Sequence, residues 1–330
     1  MAERLAGHSD HHDPVQSDVG SARRRIWLDP ELAAINVMIP HFDLSDLPRA
    51  RALELTLAQQ SRVPTPRVTS RDFSVVAREG HSIGVRVYWP VAAAAQRPAL
   101  FFIHGGGFML GGLHTEEERC EIYASRADCV TIGIDYRLAP EHPFPAAFDD
   151  CVDVLDWIAQ NAASLSIDPK QIAVGGNSAG GALAAALALR SRAEGPPVSH
   201  QFLVNPVLDH RSGTHSALTF TDTPVWSRSD NLYMWNNYLG DVDYPLDYRA
   251  SPSLVDDVSG APPLWMWLAE HDPLRDEGLE YIARLLRAGV QVGFQHYPGT
   301  FHGFDSYRVT ELGQRAISDH VWAIRQAFGR

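Results

Sequence analysis

QIAVGGNSAGGALAAALAL, Gln171 to Leu189, runs from a short apolar stretch through seven small or polar residues into a row of alanines and leucines. Gln171–Val174 has the length and β-branching of a strand, and the Ala/Leu row has high helix propensity, so the spacing predicts strand, tight turn, helix. Within the turn, Gly176-Asn177-Ser178-Ala179-Gly180 fits the pattern G-x-S-x-G. That pattern is common by chance. Between a strand and a helix it describes a sharp turn that lifts a serine oxygen to the carboxyl edge of a sheet, where only small neighbours fit.

Outward from this turn the chain repeats the same alternation. Strand-like runs fall at 71–77, 82–89, 99–103, 130–135, 171–174, 200–205, 264–269 and 292–297, with helical stretches at 115–128, 145–162, 179–193 and 275–288. Such alternation predicts a largely parallel sheet covered by helices on both faces. Residues 207–262 break the rhythm: they hold no strand signal but carry Trp226, Tyr233, Trp235 and Tyr238, and read as an insertion that walls a pocket. Before the first strand, residues 28–61 read as helical pieces broken by Pro40 and Pro48, with Asp29 and Ser45 as caps, placed to lie over the core as a lid. The first ~20 residues are polar, and His8, His11 and His12 beside Asp10 and Asp13 read as tail rather than as a metal site.

Composition narrows the function. With 28 basic and 40 acidic residues the formal charge is −12, which disfavours nucleic acid and anionic membrane as partners and favours a small neutral substrate. No apolar run reaches the length of a membrane span, and the first residues lack the apolar core of a secretion signal. Cys120, Cys129 and Cys151 cannot all pair and form no C-x-x-C, so the expectation is a reduced, cytoplasmic protein.

A serine hydroxyl becomes a nucleophile when a histidine takes its proton and a carboxylate orients that histidine. In this kind of fold the three follow in the order Ser, acid, His, each beyond a strand. Asp272 follows LWMWLAE, and His302 follows the strand VGFQHY in the loop YPGTFHGF. Glu270 belongs to the strand end, Asp276 to a first helical turn that favours acids, and His296 to the strand itself. Ser178, Asp272 and His302 are therefore the candidate catalytic residues. HGGGF, His104 to Phe108, supplies the remaining part: three glycines at a strand end are costly to order unless backbone must approach something closely. The amides of Gly105, Gly106 and Ala179 are candidate donors to the oxyanion that acyl transfer creates, and His104 is a loop-positioning residue. GGGFMLGG lacks G-x-G-x-x-G and a following Lys-Ser/Thr, and there is no H-E-x-x-H, so neither cofactor nor metal is expected.

With HGGGF, GGNSAGG, DPLRDEG and FHGF in this order, and DYRLAPEHPFPAAFDD between the first two, the chain from about residue 70 onward resembles the hormone-sensitive-lipase-like, bacterial family IV esterases of the α/β-hydrolase superfamily. The resemblance implies the α/β-hydrolase fold: a mostly parallel eight-stranded sheet, helices on both faces and a helical cap. It implies a cap built from residues 1–60 and an insertion around 207–245, on a catalytic domain of residues 61–330. It also implies the roles given above to Ser178, Asp272, His302, Gly105, Gly106 and Ala179, and an ester substrate of short to medium acyl chain, with Phe42, Trp226 and Tyr233 as pocket residues. Relatives often dimerise through the sheet edge near the last strand, so a homodimer is compatible with it. Many members have Asp where this chain has Asn177, so an ion pair made there should be absent or replaced by a neutral hydrogen bond. An amidase or carbamate hydrolase would use the same residues, and a non-catalytic small-molecule receptor could use the same fold.

Overall fold

The computed structural model describes residues 26–330 apart from 41, 62–64, 66, 92–95 and 244; the His8, His11 and His12 cluster lies outside the described residues. In chain order the elements are α1 (Pro30–Asn36), α2 (Leu47–Ser61), β1 (Val68–Val76), β2 (Ser82–Pro90), β3 (Arg97–Ile103), α3 (Glu117–Ala127), β4 (Val130–Asp135), α4 (Ala146–Gln160), β5 (Ile167–Asn177), α5 (Ala179–Arg190), β6 (Gln201–Val204), α6 (His215–Thr219), α7 (Arg228–Leu239), β7 (Leu264–His271), α8 (Arg275–Arg287), β8 (Val292–Phe301) and α9 (Glu311–Ala327). The eight strands form one sheet in the order β1-β2-β4-β3-β5-β6-β7-β8. β2 pairs antiparallel with β1 and β4; every other pairing is parallel. This is the α/β-hydrolase fold.

The central strand β3 is buried along its whole length. Ala99, Phe101 and Ile103 enter the apolar cluster on one face of the sheet, while Leu100 and Phe102 enter the cluster on the other, as the two-residue period of a strand requires. At ~1.5–3 kcal/mol for each large apolar side chain removed from water, this double burial makes the middle of the sheet the rigid part of the molecule. Helix α5 packs against it with all residues but Arg190 buried, which is why its outer face shows no polar stripe in the sequence.

Several local expectations need correction. Pro48 does not break a helix; it sits in the first turn of α2, where a missing N–H costs nothing. That helix is capped by Asp46, whose carboxylate accepts the Arg49 amide at 3.2 Å, and not by Ser45. Strand β8 continues through Phe301, so His302 stands directly at a strand end with no preceding loop. Helix α9 lies beyond the expected elements, although Ala316, Ile317, His320, Val321, Ala323 and Ile324 are buried at helical spacing. The three cysteines are free and buried.

The segments that flank the core come to one end of the sheet. Arg51 of α2 donates to the carbonyls of Met109 (2.8 Å) and Ala139 (3.1 Å) and pairs with Glu141, and Glu54 accepts the amide of Gly111 at 2.8 Å. Helix α2 thus lies across the loop that begins at His104. The insertion after β6 holds α6 and α7, and Trp235 and Tyr238 of α7 pack on Phe108 of that loop.

Candidate active site

Ser178 is positioned by backbone. β5 ends at Asn177 and α5 begins at Ala179, and the serine between them has φ 54° and ψ −117°, a conformation costly for any residue with a Cβ. The surroundings over-determine it: the Ser178 amide donates to Val204 at 2.9 Å, and its carbonyl accepts from Gly181 at 2.9 Å and Val207 at 3.0 Å. The flanking glycines are spatial requirements. A Cβ at Gly176 would lie 2.2 Å from the Gly180 carbonyl oxygen, and one at Gly180 would lie 2.1 Å from that of Ile103.

Asp272 and His302 stand at the ends of neighbouring parallel strands, β7 and β8, one strand beyond β6 on the same side of the elbow. His302 Nε2 lies 3.0 Å from Ser178 Oγ, and His302 Nδ1 lies 2.7 Å from Asp272 Oδ2. Ionised Asp272 can only accept, so Nδ1 carries the proton and Nε2 is left as an acceptor facing the serine hydroxyl. The other Asp272 oxygen accepts the Leu274 amide at 2.9 Å, and all three side chains are buried. The competitors are engaged elsewhere. Glu270 accepts the Gly299 amide at 2.7 Å, Asp276 accepts the Ser216 amide at 2.8 Å and the Arg275 guanidinium, and His296 lies within β8.

The loop after β3 brings backbone to the same point. Gly106 and Gly107 have φ 107° and 61°, and a Cβ on Gly106 would meet the Leu110 carbonyl oxygen at 2.3 Å. A Cβ on Gly105 would stand 3.0 Å from the Asn177 oxygen and 3.3 Å from the Ser178 Cβ. The amides of Gly105, Gly106 and Ala179 have no hydrogen-bond acceptor among the described residues. His104 holds the loop from beneath: its Nδ1 bonds the Gly105 carbonyl at 2.7 Å, its ring stacks on Tyr136 at 4.1 Å, and burial pushes its pKa down to about 4, so it is neutral at pH 7. Tyr136 belongs to the DYRLAPE stretch and donates its hydroxyl to the His104 carbonyl at 3.1 Å.

Ser178 and His302 open into a cavity of about 240 Å³ whose walls include Phe42, Trp226, Leu110 and Tyr307. Of the three expected pocket residues, Phe42 and Trp226 line it, and the Trp226 ring centroid lies 6.0 Å from that of His302. Tyr233 does not: it is 37% exposed, because α7 buries the face of Asn231, Met234, Trp235 and Tyr238. Sequence reasoning missed Glu54 and Thr115, which also line the cavity and bond each other at 3.1 Å. Burial raises the pKa of Glu54. Nothing local marks these two, since they come from α2 and the α3 approach, 61 residues apart. Asn177 donates to Glu116 Oε1 at 3.0 Å, so no ion pair forms at position 177, and in its place stands a bond from a neutral amide to a carboxylate. Among the described residues no group of His, Cys, Asp and Glu could hold a metal ion, and no helix is long and apolar enough to cross a membrane.

Residues 100–306 match the family described by the alpha/beta hydrolase fold. Carboxylesterase NlhH of Mycobacterium tuberculosis is 37% identical over 254 residues, 74% of this chain and 79% of that protein. Esterase LipI of the same organism is 33% identical over 285 residues, 85% and 88% of the two chains. Among solved structures, a bacterial heroin esterase superimposes with a TM-score of 0.88 at 40% identity, covering 92% of this chain and 98% of the other.

Proposed function

The chain belongs to the alpha/beta-hydrolase family and is a carboxylic ester hydrolase of the hormone-sensitive-lipase-like, bacterial family IV group, and from that premise we propose that it works through a covalent acyl-enzyme on Ser178. The observation that carries the proposal is the unbroken series Ser178 Oγ to His302 Nε2 (3.0 Å) and His302 Nδ1 to Asp272 (2.7 Å) at the mouth of a cavity.

In this reading the serine oxygen attacks the ester carbonyl while its proton passes to His302 Nε2, and Asp272 stabilises the imidazolium. Negative charge gathers on the former carbonyl oxygen, which receives the amides of Gly105, Gly106 and Ala179; they are already oriented, so no reorganisation is needed at that moment. Collapse breaks the bond to the alcohol, which leaves with the proton from His302. A water then gives a proton to the same nitrogen and its oxygen to the acyl carbon, and Ser178 leaves with the proton. Helices α1 and α2 and the insertion that holds α6 and α7 act as a cap over this site.

The test is hydrolysis of p-nitrophenyl esters of increasing acyl length by the wild type and Ser178→Ala, with mass spectrometry after exposure to a fluorophosphonate. Activity that peaks at short chains, is lost in Ser178→Ala, and comes with a single adduct on Ser178 is expected. A folded Ser178→Ala that still hydrolyses the esters would overturn the assignment.

A further inference from the structure

Behind the nucleophile's turn lies a buried polar network that the reaction as described does not use. Asn177, the residue before Ser178, donates through Nδ2 to Glu116 Oε1 at 3.0 Å. Glu116 accepts from Arg119 Nε at 2.6 Å through its other oxygen, and Arg119 Nη1 donates to Asp305 Oδ2 at 2.5 Å. Glu116, Arg119 and Asp305 are 7%, 4% and 1% exposed. Asp305 lies three residues after His302. Asn177 also packs close to Gly105, whose absent Cβ would lie 3.5 Å from the same Asn177 Nδ2. The network therefore touches the nucleophile's turn, the glycine loop and the segment that carries His302.

The direction of the first bond is fixed by chemistry. A carboxylate can only accept, so the Asn177 amide must present its nitrogen to Glu116. An aspartate at this position would place a second carboxylate against Glu116, and two carboxylates that close do not both ionise. The neutral residue at 177 and the acid at 116 are thus a matched pair. Arg119 shares its charge between Glu116 and Asp305; burial opposes both ions, yet their mutual attraction holds Asp305 below its ordinary pKa and Arg119 well above its own.

We propose that Asn177 is a positioning residue for the Ser178 reaction, held by the Glu116 carboxylate that Arg119 clamps to Asp305. The bond sets the peptide on which both the nucleophile and the Ala179 amide depend. It rests on the reading of Ser178 as nucleophile.

The experiment is a double-mutant cycle of Asn177→Asp, Glu116→Gln and the double variant, with Ser178→Ala and the wild type alongside, read as kcat and KM on p-nitrophenyl acetate from pH 5 to 9. In Asn177→Asp, a protonated carboxyl at 177 can donate to Glu116 as the amide does, but an ionised one cannot. The groups facing Glu116 are Arg119, Cys120 and Tyr123 of α3, Glu54 of α2 and Arg308, with Asp305 beyond Arg119. Only the arginines counter the added charge, and both were already present. Relative to the wild type at each pH, the rate of Asn177→Asp should therefore fall as pH rises, with kcat ~10–100-fold down at pH 8 and KM little changed, as expected for a misplaced reacting group. In the double variant the amide introduced at position 116 can donate to the carboxylate introduced at position 177 while its oxygen accepts from Arg119, so kcat and the wild-type pH profile should return. Asn177→Asp with wild-type kcat and pH profile, or a double variant no better than Asn177→Asp, would overturn the proposal. Should Asn177→Asp fail to fold by thermal melt, Asn177→Ala decides: lower kcat at unchanged KM supports the role, and undiminished kcat overturns it. Retained activity in Ser178→Ala would instead overturn the nucleophile reading, and separates that failure from this one.

Discussion

At the floor of the cavity and beneath it a single added methyl meets main chain: at Gly106 it would lie 2.3 Å from Leu110 O, at Gly180 2.1 Å from Ile103 O. On the roof the contacts are made by side chains, as Arg51 and Glu54 reach the loop's main chain and Trp226 lines the cavity, while Tyr233, seven residues on, is 37% exposed. The difference teaches where each kind of function resides. Where backbone touches backbone there is no soft degree of freedom, so Ser178 and the amides beside it are held to the tolerance that the proposed transition-state stabilisation requires. Where side chains make the contacts, shape can change at the cost of those contacts alone.

This contrast can be broken by experiment. The largest effect should come from Gly106→Ala, which forces the loop away from Leu110; kcat should drop ~100 to 1,000-fold with KM little altered, because the lost donor acts on charge that forms only in the transition state. A change confined to KM would place Gly106 with the roof. A residue beneath the floor also sets a pH limit on stability. His104 is neutral in the fold, its pKa lowered from 6.5 to about 4 by burial. Unfolded chains bind a proton there that the fold refuses, so stability is complete above pH ~6.5 and declines as pH falls toward 4, by about 3 kcal/mol from this group alone. Denaturant melts of the wild type against His104→Gln from pH 7 to 4 should show the shallower pH slope in the variant; equal slopes would refute the assignment. On the roof, Trp226→Ala should raise KM on aromatic esters by roughly tenfold while kcat changes little, since a lost wall contact weakens ground and transition states alike. Tyr233→Ala, on the outward face of α7, should leave kcat/KM and melting temperature nearly unchanged, in line with ordinary surface substitutions. A large loss there would show that the cap closes further than the described arrangement.

The same contrast explains what could be read in advance. That Ser178, Asp272, His302 and the glycines of the loop come together was legible because strand ends leave local marks: small residues where a turn is sharp, polar residues just beyond an apolar run. Tyr233 was misplaced because an aromatic residue in an irregular insertion does not state which helical face it takes, and α7 mixes polar and apolar residues on its buried side, Asn231 among them. Glu54 and Thr115 gave no signal, since each is ordinary in its own segment and they meet only through the packing of α2 over the loop. Glu116 and Arg119 look like an exposed pair one helical turn apart; their burial depends on Asp305, 186 residues beyond Arg119. Helix α9 is a different case, for its apolar spacing was present and simply lies after the last motif.

Phe108, the last residue of HGGGF, has a positive φ of 60°, gives its carbonyl to the Ala139 amide at 2.9 Å, and stacks on Tyr238 with 3.7 Å between ring centroids. The segment after β6 is therefore no interchangeable cassette. An engineer who transplants residues 207–245 from another esterase to alter acyl preference removes the ring that supports the glycine loop, and a chimera would inherit the donor's selectivity only if its residue at 238, or a compensating partner for Phe108, came with the graft.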